Sequence, residues 1–107
     1  MFTVEQKQTL IRLLAESLGA ESEVRRIVVF GSFLFSDDPH DLDVAVFQDS
    51  DEGYLPLALK YRRKTRAIAR VIPLDIIPLK ADVEDGLFTD EMERGEVIYE
   101  RPDEEVA

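Results

Sequence analysis

Asp41-Leu42-Asp43-Val44-Ala45-Val46-Phe47 has the two-residue period of a β-strand: positions 41, 43, 45 and 47 point to one face, and Leu42, Val44 and Val46 to the other. Two carboxylates therefore share a face about 7 Å apart, twice the rise per residue. They repel unless both reach water or a cation lies between them. A divalent cation resolves the conflict.

The flanking segments extend this reading. Upstream, Arg26-Ile27-Val28-Val29-Phe30 is a near-continuous apolar run that stops at Gly31-Ser32, which suits a central strand covered on both faces. Downstream, Val71-Ile72-Pro73-Leu74-Asp75-Ile76-Ile77-Pro78-Leu79 places one acid in an apolar strand. Asp75 shares its face with Val71, Pro73 and Ile77. Burying an ionised carboxylate costs several kcal/mol, so Asp75 is expected to have a ligand, a hydrogen-bond donor or a catalytic task. Pro73 and Pro78 mark this strand as short or at a sheet edge. Three carboxylates on two strands can hold two Mg2+ ions about 3.5–4 Å apart, as in phosphoryl and nucleotidyl transfer. Hard oxygen ligands suit Mg2+ and Mn2+ alike.

The order strand, Gly-Ser, short connection, Asp-x-Asp strand, helix, Asp strand resembles the minimal nucleotidyltransferase domains of the DNA polymerase beta superfamily, over about residues 20–100. The closing stretch from Phe88 to Glu100 resembles that family's terminal short helix, glycine stop and small strand ending in Tyr-Glu. The resemblance implies an α/β nucleotidyltransferase fold, a mixed β-sheet with helices packed mainly on one face. It further implies that Gly31 and Ser32 hold the nucleotide phosphates, that Asp41 and Asp43 bind two metals, and that Asp75 completes the metal site and helps activate an acceptor hydroxyl. The implied reaction moves a nucleoside monophosphate, by default AMP from ATP, to a hydroxyl of a partner protein or small molecule. In the family such small proteins often act with an all-helical partner, including toxin–antitoxin pairs.

The loop after Gly31-Ser32 departs from the family pattern. Where the family commonly has an aromatic or Arg, a small residue, Arg and Gly, this chain has Phe33-Leu34-Phe35-Ser36, with no basic residue near the phosphates. His40 stands where the family often has Ser. These departures define a second expectation from a different class, a catalytically decayed binding module that scaffolds or neutralises a helical partner.

The 107 residues make one domain with a modest core, expected to span 1–101 ahead of an acidic tail at 102–107. Thirteen basic and twenty-three acidic residues give a net charge of −10, which opposes nonspecific adhesion to nucleic acid or anionic membranes. A nucleic-acid acceptor is therefore disfavoured. Cysteine is absent, excluding disulfides and thiolate metal sites. No apolar stretch is long enough to span a membrane and the start lacks a signal-peptide pattern, so a cytoplasmic protein is expected, free to form homo- or hetero-oligomers.

Thr3-Val4-Glu5-Gln6 offers a capping box to a helix over about 4–18, with Leu10, Ile11, Leu14 and Leu18 as its apolar stripe. Ser36 to His40 reads as a turn, Asp49 to Gly53 as a polar linker and Lys80 to Gly86 as loop. A second helix over about 54–70 has Leu57, Tyr61, Thr65 and Ile68 on its inner face. It also carries Lys60, Arg62, Arg63, Lys64, Arg66 and Arg70, six of the thirteen cations. That basic face can meet a triphosphate, an RNA strand or an acidic partner, or simply pair with local acids. Phe33 and Phe35 are open to packing or base stacking, His40 to a turn or a role beside Asp41, and Tyr99 to packing or nucleotide acceptance.

Overall fold

The computed structural model describes residues 1–81 and 90–102, with backbone only at 90 and 91. Thr3 opens the first helix, α1 (Val4–Gly19), by the expected capping box. Its hydroxyl accepts from the Gln6 N–H, and the Gln6 side chain returns to the Thr3 N–H. Leu10, Leu14 and Leu18 are buried along one side. The chain then enters β1 (Val24–Phe30), turns through a 3-10 segment (Gly31–Leu34) and returns as β2 (Leu42–Gln48). After the linker come α2 (Tyr54–Lys64), a short α3 (Arg66–Ala69), β3 (Leu74–Lys80), α4 (Asp90–Glu93) and β4 (Glu96–Glu100).

Among the described residues four strands form one mixed sheet in the order β3-β2-β1-β4. β1 is antiparallel to both β2 and β4, whereas β2 and β3 run parallel, so α2 and α3 serve as the crossover that a parallel pair needs. β1 is an interior strand and β3 an edge strand, as expected. Pro78 does not bound β3 but sits inside it, opposite Val46. In the described part of the closing stretch, helix, glycine and strand follow in the expected order. A Cβ at Gly95 would lie 2.7 Å from the Val29 carbonyl oxygen, so only glycine lets the chain come in this close to β1. Residues 82–86 of the expected loop, Phe88 and Thr89 of the closing stretch, and positions 103–107 of the tail lie outside the described residues.

Strand alternation divides the core in two. Ile27, Val29, Leu42, Val44 and Val46 join Leu10, Leu14 and Leu18 of α1 and Leu57, Tyr61 and Ile68 of α2 and α3. On the other face Val28, Phe30, Ala45 and Phe47 form a smaller cluster with Ile77, Leu79 and Met92. The three helices α1 to α3 therefore cover one face. Each fully buried large aliphatic contributes about 1.5–3 kcal/mol, which makes the helix-covered layer the main source of stability. The expected single helix over 54–70 is interrupted at Thr65, whose φ of −110° and ψ of 18° leave the helical region. Its hydroxyl bonds back to the Tyr61 carbonyl, a local competition with the backbone ladder that bends helices. Among the described residues no helix is long and apolar enough to cross a membrane.

Candidate functional site

The end of β1 and the starts of β2 and β3 bring the expected residues to one end of the sheet. Asp43 lies directly opposite Phe30 of β1 and, in the parallel ladder, directly opposite Asp75 of β3. Side chains at partnered positions project to the same face, so the two carboxylates stand side by side, on the face away from α1 to α3. Gly31 follows Phe30 with φ +82°, in the left-handed region that favours glycine. A Cβ there would lie 2.6 Å from Asp43 Oδ2, so its absence makes room for the carboxylate. Gly31, Asp43 and Asp75 form the assembled part of the site.

The remaining residues are placed less tightly. Asp41 precedes β2 and is exposed; it does not continue the strand as the alternation predicted. The strand begins only at Leu42, whose N–H donates to the Pro73 carbonyl oxygen. Asp75 is exposed, so the expectation of a buried acid is corrected: β3 is an edge strand and Asp75 sits at its open end. Periodicity assigned its face but could not give its depth. Among the described residues, no three His, Cys, Asp or Glu side chains are grouped closely enough to hold a metal ion. Ser32 and His40 are exposed.

The glycine-poor loop is held by the start of α1. The Ser32 carbonyl oxygen accepts from the N–H groups of Phe35 and Ser36. Lys7 donates to the Ser36 carbonyl oxygen and lies 5.4 Å from the Phe33 ring centroid, and the Phe2 N–H donates to the Asp37 carbonyl oxygen. Phe33 is buried and Phe35 is 74% exposed, so the two aromatics separate into a packing residue and a surface residue. A groove of about 650 Å3 runs beside this loop, between α1 and β4. Tyr99 is half-buried and packs against the main core cluster.

The basic helix divides as well. Lys60 forms ion pairs with Glu23 at 2.9 Å, Glu21 at 3.2 Å and Glu52 at 3.5 Å, and Lys64 pairs with Glu21. Tyr61 donates its hydroxyl to Glu23 at 2.9 Å. A hydrogen bond from Lys64 leads in holding the Glu21 carboxyl below its usual range. For Glu23, burial pushes upward, but bonds from Lys60, the backbone and Tyr61 outweigh it and the carboxyl is lowered. Lys60 is raised, chiefly by its hydrogen bond to Glu23, and Tyr61 is raised by burial and then by Glu23. These lysines are structural cations. Arg62, Arg63, Arg66 and Arg70 are exposed on helices that cover the face opposite the aspartate pair, which removes them from contact with a triphosphate held there.

Sequence reasoning missed a cleft of about 210 Å3 at the far end of β1, lined by Arg25, Arg26, Arg101, Phe47 and Glu100. The Arg26 guanidinium lies 4.5 Å from the Phe47 ring centroid. The only trace in the sequence is the Arg25-Arg26 pair at a strand start. No protein-family model matches the chain, and no curated protein matches it significantly.

Proposed function

We propose that the chain is a Mg2+-dependent nucleotidyltransferase of the nucleotidyltransferase fold, transferring a nucleoside monophosphate from an NTP, by default AMP from ATP, to a hydroxyl group. The observation that carries this reading is the in-register pair Asp43 and Asp75 beside a glycine whose missing Cβ accommodates one of the carboxylates. Two like charges aligned across neighbouring strands are destabilising on their own, and that placement is useful when a hard cation is bound between them. The donor set fits Mg2+: Asp43 and Asp75 would hold it, with Asp41 reaching in from the exposed segment ahead of β2. When bound, the metal neutralises the phosphate charge and polarises the reacting phosphorus centre.

The chain's own residues would do the rest. Gly31 and Ser32, at the turn ending β1, would receive the nucleotide phosphates through backbone N–H and hydroxyl groups. Asp75, exposed and in register with Asp43, would orient the acceptor hydroxyl and take its proton. The acceptor oxygen then bonds to the alpha phosphorus as the bond to the bridging oxygen breaks, and pyrophosphate leaves with that electron pair.

A second reading, a decayed binding module that scaffolds or neutralises a helical partner, is favoured by one observation. The Phe33–Ser36 loop offers no cation, and its Phe35 ring faces solvent. The test that separates the two is incubation of the chain with Mg2+ and alpha-labelled ATP, followed by label transfer and pyrophosphate release. Transfer that disappears in both Asp43→Ala and Asp75→Ala establishes the enzyme. Absence of both ATP binding and transfer in the native chain favours the binding module.

A further inference from the structure

Leu55, Leu59, Arg62, Arg63, Arg66 and Arg70 lie on one outward stripe of α2, α3 and the residue that caps α3. At 3.6 residues per turn these positions fall within about 100° of one another, opposite the inner side. The helical phase survives the break at Thr65, because Leu57, Tyr61, Thr65 and Ile68 are all buried. Leu55 is 63% and Leu59 46% exposed. The four arginines are exposed, and among the described residues none forms an ion pair, in a chain with twenty-three acids. The two lysines on the flank are the ones consumed by Glu21, Glu23 and Glu52.

Leucine and arginine without lysine is the composition of a contact surface rather than a solvated one. Arginine is enriched at interfaces where lysine is depleted, and its planar fork meets carboxylates in paired hydrogen bonds. We propose that this stripe docks an acidic protein partner, with Leu55 and Leu59 entering an apolar recess and the four guanidinium groups meeting surrounding carboxylates. The charge complementarity is one-sided: in a chain of net charge −10, the stripe positions carry four arginines and no acid. Two copies meeting stripe to stripe would set arginine against arginine. A nucleic acid would find no use for the leucines, and two partly exposed leucines are too little apolar surface to hold a membrane. The surface is independent of the aspartate site and stands whether or not the chain transfers nucleotides.

The test is selection of a phage-displayed library of random helical peptides on the immobilised full chain. The expected winners are acidic, with large aliphatics three or four residues apart. The best synthetic peptide should bind at least about tenfold more weakly to Leu55→Ser/Leu59→Ser and, separately, to Arg62→Gln/Arg66→Gln, with both variants melting like the native chain. Arg12→Gln, off the stripe, should leave binding within about twofold. Winners that are not acidic, or that bind both variants as tightly as the native chain, overturn the proposal. So does single-stranded RNA or a phosphatidylserine vesicle whose binding depends on the arginines and not the leucines, or a concentration-dependent dimer abolished by the leucine variant.

Discussion

Acids gather at both ends of the sheet under opposite regimes. Where β1 begins, Glu21, Glu23 and Glu52 are met by Lys60, Lys64 and the Tyr61 hydroxyl, all from α2. Where β1 ends, Asp43 and Asp75 are aligned with each other, and among the described residues neither Asp41 nor Asp75 forms an ion pair. The same chain that builds a cation–carboxylate network at one end aligns two carboxylates across neighbouring strands at the other. The first arrangement spends its charges on joining α2 to the α1–β1 connection. The second sets Asp43 and Asp75 in register, with Asp41 and Asp75 exposed.

The comparison breaks most sharply under substitution at the aspartate end. Asp43→Ala should reduce Mg2+-dependent nucleotidyl transfer by about a thousandfold or more, since metal stabilisation of several kcal/mol is lost and each ~1.4 kcal/mol is tenfold. Its melting temperature should stay close to that of the native chain, and equal activity in the two proteins would sink the catalytic reading. Gly31→Ala forces a Cβ into the Asp43 carboxylate at positive φ and should cost about 2–3 kcal/mol in denaturant unfolding. An unchanged midpoint would show that the carboxylate can move aside freely.

At the other end, Lys60→Met should lower stability by about 1 kcal/mol, because Glu21 keeps Lys64 and Glu23 keeps the Tyr61 hydroxyl but each loses a cation in a partly buried place. The pH dependence follows the same network. Glu21 and Glu23 are lowered in the folded chain, so their contribution is present above about pH 4–5 and fades as pH falls through their folded values. Lys60 and Tyr61 are raised, so their contribution is complete below about pH 10 and fades as pH rises through their folded values. Thermal melts across pH should give a neutral plateau with two shoulders, both flattened in Lys60→Met.

The smallest effect has the opposite sign. Asp75→Asn removes a like charge directly opposite Asp43 and should raise metal-free stability by about 0.5 kcal/mol, while removing any stabilisation conferred by Mg2+. A loss of stability in metal-free buffer would mean that Asp75 has a structural partner and that the two ends are less different than they look.

Much of the fold was legible because it depends on neighbours in sequence. The Thr3–Gln6 capping box, the alternation from Leu42 to Phe47 and the inner stripe Leu57, Tyr61, Thr65 and Ile68 are local patterns, and each is realised. For the candidate site, the sequence paired Asp41 with Asp43 along one strand and added Asp75 as a third acid, whereas the register that sets Asp43 opposite Asp75 comes from the parallel ladder. The site was illegible in depth, because alternation reports which face a residue takes and not how near the sheet edge it lies. Asp41 fell outside the strand because β2 starts where its ladder to Pro73 starts, which the sequence does not mark. The pairs that Lys60 and Lys64 make with Glu21 and Glu23 join residues 37 to 43 positions apart, and those two glutamates appear in sequence only as charges in a connection. The outward placement of Leu55 and Leu59, by contrast, follows from the same helical phase as the inner stripe.

Pro78 sits within the outermost strand, and the register from Leu42–Leu74 to Gln48–Lys80 passes through it without a shift. Its missing N–H is therefore lost from the outer margin and not from the ladder with β2. An incoming strand from another molecule would find a gap in the donor row there, with the charges of Asp75 and Lys80 near either end. Pairing of another strand along that margin is thus disfavoured by the proline that sequence rules place at sheet edges.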